Sequence, residues 1–151
     1  MRSWLDVEAL PAAKRELIHP YIREWVLGAV DLSGRAVMES YHAVQAVRKV
    51  TVTATEIYDV VLSPVAPGAA FAAELPSPTN DPALALHHIT YTAPYNFSEQ
   101  PAATLNAGFT PDGRPVGLQL AGRRYEDVRL LQTARWFEHA RPASARPTWP
   151  R

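Results

Sequence analysis

The strongest constraint on the fold comes from residues 101–122, PAATLNAGFTPDGRPVGLQLAG, which have the pattern of two core strands joined by a turn. In the second strand, Val116, Leu118 and Leu120 alternate with small or polar residues, the two-residue period of a strand with one buried face. Residues 110–113, Thr-Pro-Asp-Gly, suit a type I turn between the strands. An isolated hairpin is marginally stable in water, so we expect helices and further strands to cover this pair.

Two stretches before residue 60 have helical patterns. Residues 12–30 contain Pro20, which favours two short helices that meet there over one kinked helix. Residues 35–58 lack Gly and Pro, follow a potential N-cap at Ser33, and have apolar residues at helical spacing. The β-branched residues at 50–55 would also suit a strand, but the unbroken apolar stripe favours a helix.

The central part of the chain predicts a strand, a loop and a third helical stretch. Residues 59–64 are a short apolar run closed by proline, typical of a strand buried on both faces. Five prolines between residues 64 and 82 indicate an ordered surface loop. Asp81 as N-cap and Pro82 in the first turn predict a helix that runs to about Thr92.

A last helix is expected after the hairpin, because acidic residues at 126 and 127 favour a helix N-terminus. Its predicted apolar face consists of Leu130, Leu131, Ala134 and Phe137. The whole pattern predicts an α/β fold, a mixed sheet covered by helices, in a single domain over residues 1–141. Residues 142–151 are expected to form a Pro-rich tail.

Composition excludes several classes of function. The chain of 151 residues has a formal net charge of zero, which gives no electrostatic reason to expect nucleic acid or an anionic membrane as a partner. It has no cysteine, which is compatible with the cytoplasm, and no apolar run near the roughly 18 residues needed to span a bilayer. The adjacent His87 and His88 would point about 100° apart on a helix, so we expect no metal and no cofactor.

Four stretches together resemble the C-terminal third of amidase signature enzymes, a family that includes fatty acid amide hydrolases and one component of the tRNA-dependent amidotransferases. They are residues 59–67 (DVVLSPVAP), 91–102 (YTAPYNFSEQPA), 113–120 (GRPVGLQL), and Asp127 with Leu130, Leu131 and Glu138. The resemblance extends over about residues 17–139 and implies an interior mixed sheet and chemistry at an amide bond. Two positions depart from the common pattern: Glu99 stands where many members have Gly, and Asn106 where many have Pro.

The resemblance also implies an absence. Enzymes of this family use a serine nucleophile activated by a cis-peptide serine and a lysine, within a Gly/Ser-rich run that this chain lacks. A hydroxyl attacks a carbonyl only when a base accepts its proton and donors stabilise the oxyanion. The two lysines, Lys14 and Lys49, fall in predicted helices, and neither Ser63 nor Ser98 has the flanking glycines of a nucleophile elbow. We therefore expect no catalytic residue in this chain.

The resemblance implies a substrate-binding role for Leu86, Ile89 and Ala93, which would line the acyl or amide pocket, with Thr92 and Asn96 fixing the local backbone. The alternative is that these three residues are the buried face of a helix, since their spacing is helical. Ile89 stands where the amidotransferase members of the family have an acid that holds the substrate amino group, which favours an apolar substrate group.

Two hypotheses remain for the function. In the first, the chain is the C-terminal part of an amidase-like hydrolase acting on a small amide substrate; its partner is a separate N-terminal amidase half, or that half has been cut away from this sequence. In the second, it is a non-catalytic remnant that acts as an interaction or oligomerisation module. Both predict self-association, because a sheet without its neighbouring strands exposes edges and apolar surface.

Overall fold

The computed structural model describes residues 2–79 and 81–141, so the predicted tail at 142–151 lies outside the described residues. Within them, the chain divides into two compact units, one of residues 2–41 and 71–87 and the other of residues 42–70 and 88–141. The long helix α4 contributes residues to both units. The prediction of one domain over residues 1–141 stays a prediction.

The first unit is built from short helices. They are α1 (Arg2–Glu8), α2 (Ala12–Glu16), α3 (Pro20–Leu27), the first part of α4 (Gly34–Thr55) and a 3-10 turn at Pro82–Leu84. The break before Pro20 confirms the prediction of two helices, and the His19 imidazole Nδ1 caps α3 by accepting a hydrogen bond from the Tyr21 N–H at 3.2 Å. The buried Tyr21 donates from its hydroxyl to the Asp81 carbonyl at 2.8 Å, which joins α3 to the proline-rich segment.

Helix α4 is continuous through the β-branched residues, as the apolar stripe predicts. The Ser33 hydroxyl accepts a hydrogen bond from the Ala36 N–H at 3.1 Å and so satisfies one of the free donors of the first turn. Arg35 and Glu39 form an i,i+4 ion pair at 2.7 Å on the exposed surface. The helix ends at Thr55, three residues before the predicted end.

The second unit contains a three-stranded antiparallel sheet in the order β1-β3-β2. Its strands are β1 (Val60–Pro64), β2 (Ala102–Phe109) and β3 (Pro115–Gly122), and helices α5 (Ala93–Ser98) and α6 (Asp127–Ala140) belong to the same unit. The hairpin prediction is confirmed: β2 and β3 are neighbours, and Gly113 takes φ 84 in the turn, where its N–H donates to the Thr110 carbonyl at 2.9 Å.

The core of the second unit lies between the sheet and α6. Leu120 is 0% exposed and packs with Leu130 and Ala134 of α6. The partly buried apolar residues around them are Val60, Ala103, Leu105, Leu118 and Phe137. The predicted apolar face of α6 is thus correct at three of its four positions, but Leu131 is 62% exposed because it lies on the flank of the helix.

Strand β1 is correctly predicted as a strand but not as one buried on both faces. Leu62 pairs with Leu120 across the sheet and is nevertheless 50% exposed. The reason is that α6 packs against β2 and β3, which leaves this part of β1 uncovered by the described residues. Strand β1 is an edge of the described sheet, whereas a strand buried on both faces is normally central.

Candidate functional site

The segment before α5 is not the helix that the sequence predicts for residues 81–92. It forms two 3-10 turns, Pro82–Leu84 and His87–Ile89, with i to i−3 hydrogen bonds such as Leu84 N–H to the Asp81 carbonyl at 2.9 Å. The Thr92 hydroxyl also donates to the Ile89 carbonyl, at 3.1 Å, and competes for the acceptor of a regular helix. Pro94 has no N–H to continue an α-helical ladder from Thr90. The Asp81 cap is correct, since its carboxylate accepts from the Ala83 N–H at 2.9 Å.

The three predicted pocket residues do not share one helix face. Leu86 belongs to the first unit and is 52% exposed, which argues against its being a plain core residue. Ile89 ends the second 3-10 turn and Ala93 begins α5, both in the second unit and both half-buried. The substrate-binding role of these residues remains a prediction.

The segment 91–98 lies on the sheet face opposite α6, where Gln119 of β3 contacts its first residue. Leu118 and Leu120 face α6, so the intervening Gln119 side chain projects to the other side, where it is only 3% exposed. Its Nε2 donates to the Tyr91 carbonyl and to the Ser63 hydroxyl, both at 3.0 Å. The sequence shows Gln119 as a polar residue in an apolar strand, but it does not indicate the hydrogen-bond partners of its side chain.

A second buried glutamine lies at the other end of this segment. Gln100, 9% exposed, accepts at Oε1 from the Ser98 hydroxyl at 2.9 Å. Its Nε2 donates to the Thr55 hydroxyl at 3.0 Å and to the Gly122 carbonyl at 2.9 Å. Every polar group of the amide therefore has a partner, and the ends of α4, α5 and β3 meet at one side chain.

Glu99, between these elements, adopts a left-handed conformation with φ 59 at the C-terminus of α5. Its carboxylate pairs with Arg48 of α4 at 2.6 Å and also with Arg124. Glycine takes this conformation without steric cost, whereas a residue with a side chain does not. The other departure, Asn106, lies at a β-bulge, where its side chain bonds both the N–H and the carbonyl of Gly108.

The two serines considered as nucleophiles are both engaged with amide groups. Ser98 is 0% exposed and bonds to Gln100, and the Ser63 hydroxyl accepts from Gln119. The lysines lie in helices, Lys14 in α2 and Lys49 in α4. Among residues 2–79 and 81–141, no group of three His, Asp or Glu side chains could hold a metal ion. None of the helices in that part of the chain is both long and apolar enough to cross a membrane.

Comparisons with known proteins identify the family of this chain. The sequence model of the Amidase family matches residues 8–131, which is most of the chain. The chain belongs to the amidase family. The resemblance to amidase signature enzymes is thereby confirmed, and the α/β fold with a helix-covered sheet agrees with it.

Among curated relatives of this amidase-family chain, an acylamidase of Rhodococcus erythropolis is 43% identical over 89 residues, covering 56% of this chain and 19% of the relative. The A component of the glutamyl-tRNA(Gln) amidotransferase of Psychrobacter sp. (strain PRwf-1) is 35% identical over 120 residues, 77% of this chain and 23% of the relative. The chain therefore spans about a fifth of the length of these relatives.

Solved structures show the same fold. A bacterial aryl acylamidase of the amidase signature family superposes with a TM-score of 0.75 over 97% of this chain and 34% of its own, at 23% identity. A crystal structure of an amidase gives a TM-score of 0.69 at 27% identity, over 82% of this chain and 29% of its own.

Proposed function

We propose that this chain is the C-terminal part of an amidase-like hydrolase that acts on a carboxylic amide bond. In this proposal it supplies the sheet core and a pocket wall formed by Leu86, Ile89 and Ala93, and an N-terminal amidase half supplies the nucleophile. The observation that carries the proposal is the family match over residues 8–131, in a chain whose matched part covers only 19% and 23% of two curated relatives. The reaction would take place in the cytoplasm, without a metal or cofactor.

The state of the serines supports a nucleophile outside this chain. A serine hydroxyl needs a base that can accept its proton before it can attack an amide carbonyl. Ser98 and Ser63 instead contact glutamine amides, which are not bases at neutral pH. The lysine that activates the serine in amidase signature enzymes would likewise come from the other half.

The chemistry of Ile89 supports an amide with an apolar group as the substrate. An apolar side chain cannot pair with a charged amino group, and burying such a charge without a partner is costly. This favours an acylamidase-like activity over the amidotransferase-like one, and both kinds of relative are similar to this chain.

A second candidate function is that of an interaction or oligomerisation module, which the exposed apolar surface of the second unit favours. Leu62 on the edge strand β1 is 50% exposed and Trp136 on α6 is 65% exposed. A free strand edge with apolar neighbours is a template for pairing with another chain. Self-association of this chain, measured by light scattering, is expected under both candidates.

A chimera tests the first candidate. The matching C-terminal segment of the Rhodococcus erythropolis acylamidase would be replaced by this chain, and hydrolysis of acyl amides would be measured. We expect turnover by the chimera, and neither turnover nor labelling by a serine-directed probe for this chain alone. Labelling of a serine in this chain alone would contradict the missing nucleophile. A folded chimera without turnover would favour the interaction module.

A further inference from the structure

The two buried glutamines, Gln119 and Gln100, hold opposite ends of the same segment. Gln119 donates to the Tyr91 carbonyl, two residues before α5, and Gln100 accepts from Ser98, the last residue of α5. Both are 9% exposed or less. The segment 91–98 is thus attached to the sheet at both ends by side-chain amides.

The orientation of both amides is fixed by their partners. A main-chain carbonyl can only accept, so the nitrogen of Gln119 must face Tyr91 and that of Gln100 must face Gly122. The Thr55 hydroxyl donates to the Thr51 carbonyl at 2.9 Å, which leaves it as an acceptor for Gln100. The direction of each hydrogen bond is therefore determined, and a side chain of the same shape without N–H donors could not replace either glutamine.

The segment depends on these bonds because α5 cannot hold its own position. A helix of six residues is far below the roughly 12 to 15 needed for marginal stability in isolation. Pro94 in its first turn and the left-handed Glu99 at its end uncouple it from regular structure on either side. It is held by the buried Tyr95, by the two amides and, at its C-terminus, by the ion pairs of Glu99.

We propose that Gln100 and Gln119 are positioning residues that fix the segment 91–98 against the sheet. They thereby set the place of Ala93 in the pocket wall, a consequence that rests on the proposed function. In this role neither glutamine contacts the bond that reacts. Gln119 sets the start of the segment and Gln100 its end, so loss of either amide lets the short helix shift as a unit.

The first test needs no catalytic activity. Hydrogen exchange of the amides in residues 91–98 would be measured in the full chain for Gln100→Leu, Gln119→Leu and the matched control Gln132→Leu, whose glutamine is exposed on α6. We expect exchange in this segment to be about tenfold faster in each buried variant, as for the loss of one buried hydrogen bond. Exchange in the β2–β3 hairpin should change much less. The control Gln132→Leu should leave exchange unchanged in both the segment and the hairpin. Equal acceleration in the hairpin and the segment would overturn the proposal, because it would indicate general destabilisation.

A conservative variant separates hydrogen bonding from packing. Gln100→Glu keeps the shape, but its carboxylate cannot donate to the Gly122 carbonyl at neutral pH. Burial raises the pKa of a carboxyl group, and the protonated acid regains one donor. The exchange rate of the segment in Gln100→Glu, divided by the rate in Gln100→Leu at the same pH, should therefore fall as the pH drops below about 5. A ratio that does not vary with pH would overturn the directional role of Gln100.

The second test uses the chimera and two acyl amides that differ in the size of the acyl group. In Gln100→Leu and Gln119→Leu we expect the ratio of KM values for the two substrates to change severalfold, with smaller changes in kcat. An equal fall in kcat/KM for both substrates would show that the glutamines do not shape the pocket. A chimera with both glutamines intact that folds but shows no turnover would refute the proposed function, while the exchange experiment would still decide whether the glutamines position the segment.

Discussion

Replacement of Gly117 by alanine is the sharpest test of the close contact between β3 and the residue that follows β1. A Cβ at this position would lie 2.7 Å from Val65 Cγ2 and 3.1 Å from Val65 Cβ. Carbon atoms in contact are normally about 3.5–4.0 Å apart, so β3 and the segment at Val65 would have to separate by about 1 Å. Valine is stiff at χ1 and cannot rotate its methyl group away freely. We expect a loss of about 1–3 kcal/mol in the free energy of unfolding.

The assay is urea unfolding followed by circular dichroism, supported by thermal unfolding. For a chain of this size, the expected loss corresponds to a fall of roughly 2–4 °C in Tm per kcal/mol. Gly34→Ala is the control, because a Cβ there meets nothing within 4 Å and the residue begins α4. It should be neutral or slightly stabilising.

The double variant Gly117→Ala/Val65→Ala decides whether the contact with Val65 is the cause. Removal of the valine methyl groups should relieve most of the strain, so the two changes should be non-additive by at least about 1 kcal/mol. Additivity within about 0.5 kcal/mol would refute the reasoning, since the cost of Gly117→Ala would then come from elsewhere in the strand.

Three further predictions concern stability. Leu120→Ala should lower the free energy of unfolding by about 2–5 kcal/mol, because Leu120 is 0% exposed in the core beside α6; urea unfolding measures this. Ser33→Ala should cost about 0.5–2 kcal/mol through loss of the N-cap to Ala36, and Ser33→Asp should retain most of that stability in the same assay. Burial raises the pKa of the Tyr95 phenol above its usual 10.0, so the folded chain retains this proton to a higher pH than the unfolded chain does. The resulting stability is fully present below about pH 10 and is lost as the pH rises through the pKa of the folded state. Urea unfolding at a series of pH values should therefore show a smaller loss of unfolding free energy above pH 10 for Tyr95→Phe than for the unchanged chain.

The sequence was sufficient to predict the elements whose signals are local. The hairpin, the long helix after Ser33 and the last helix each depend on a turn motif, a cap or a continuous apolar stripe. The helix predicted to end near Thr92 did not form, because the Thr92 hydroxyl bonds to the Ile89 carbonyl and Pro94 has no N–H to continue the ladder. The Tyr91 carbonyl bonds to Gln119, 28 residues later in the chain, and no local pattern indicates that contact.

Burial was harder to predict than secondary structure. An apolar run such as 60–64 indicates a strand buried on both faces only if the rest of the sheet is present, and β1 is an edge within the described residues. The same reasoning applies to the candidate site. The spacing of Leu86, Ile89 and Ala93 is helical, but without a helix that spacing no longer places them on one face.

The departure from the family pattern at Glu99 shows how a costly backbone can be maintained. A non-glycine residue in the left-handed region costs of order 1–2 kcal/mol, and two arginine partners of Glu99 offset part of this cost. The carboxylate is about half exposed, so each ion pair contributes little by itself. Arg48 comes from α4 and Arg124 follows β3, the same two elements that Gln100 joins through its amide nitrogen. The buried amide therefore supplies the directional attachment of α5, and the surface ion pairs stabilise the turn that brings Gln100 to it.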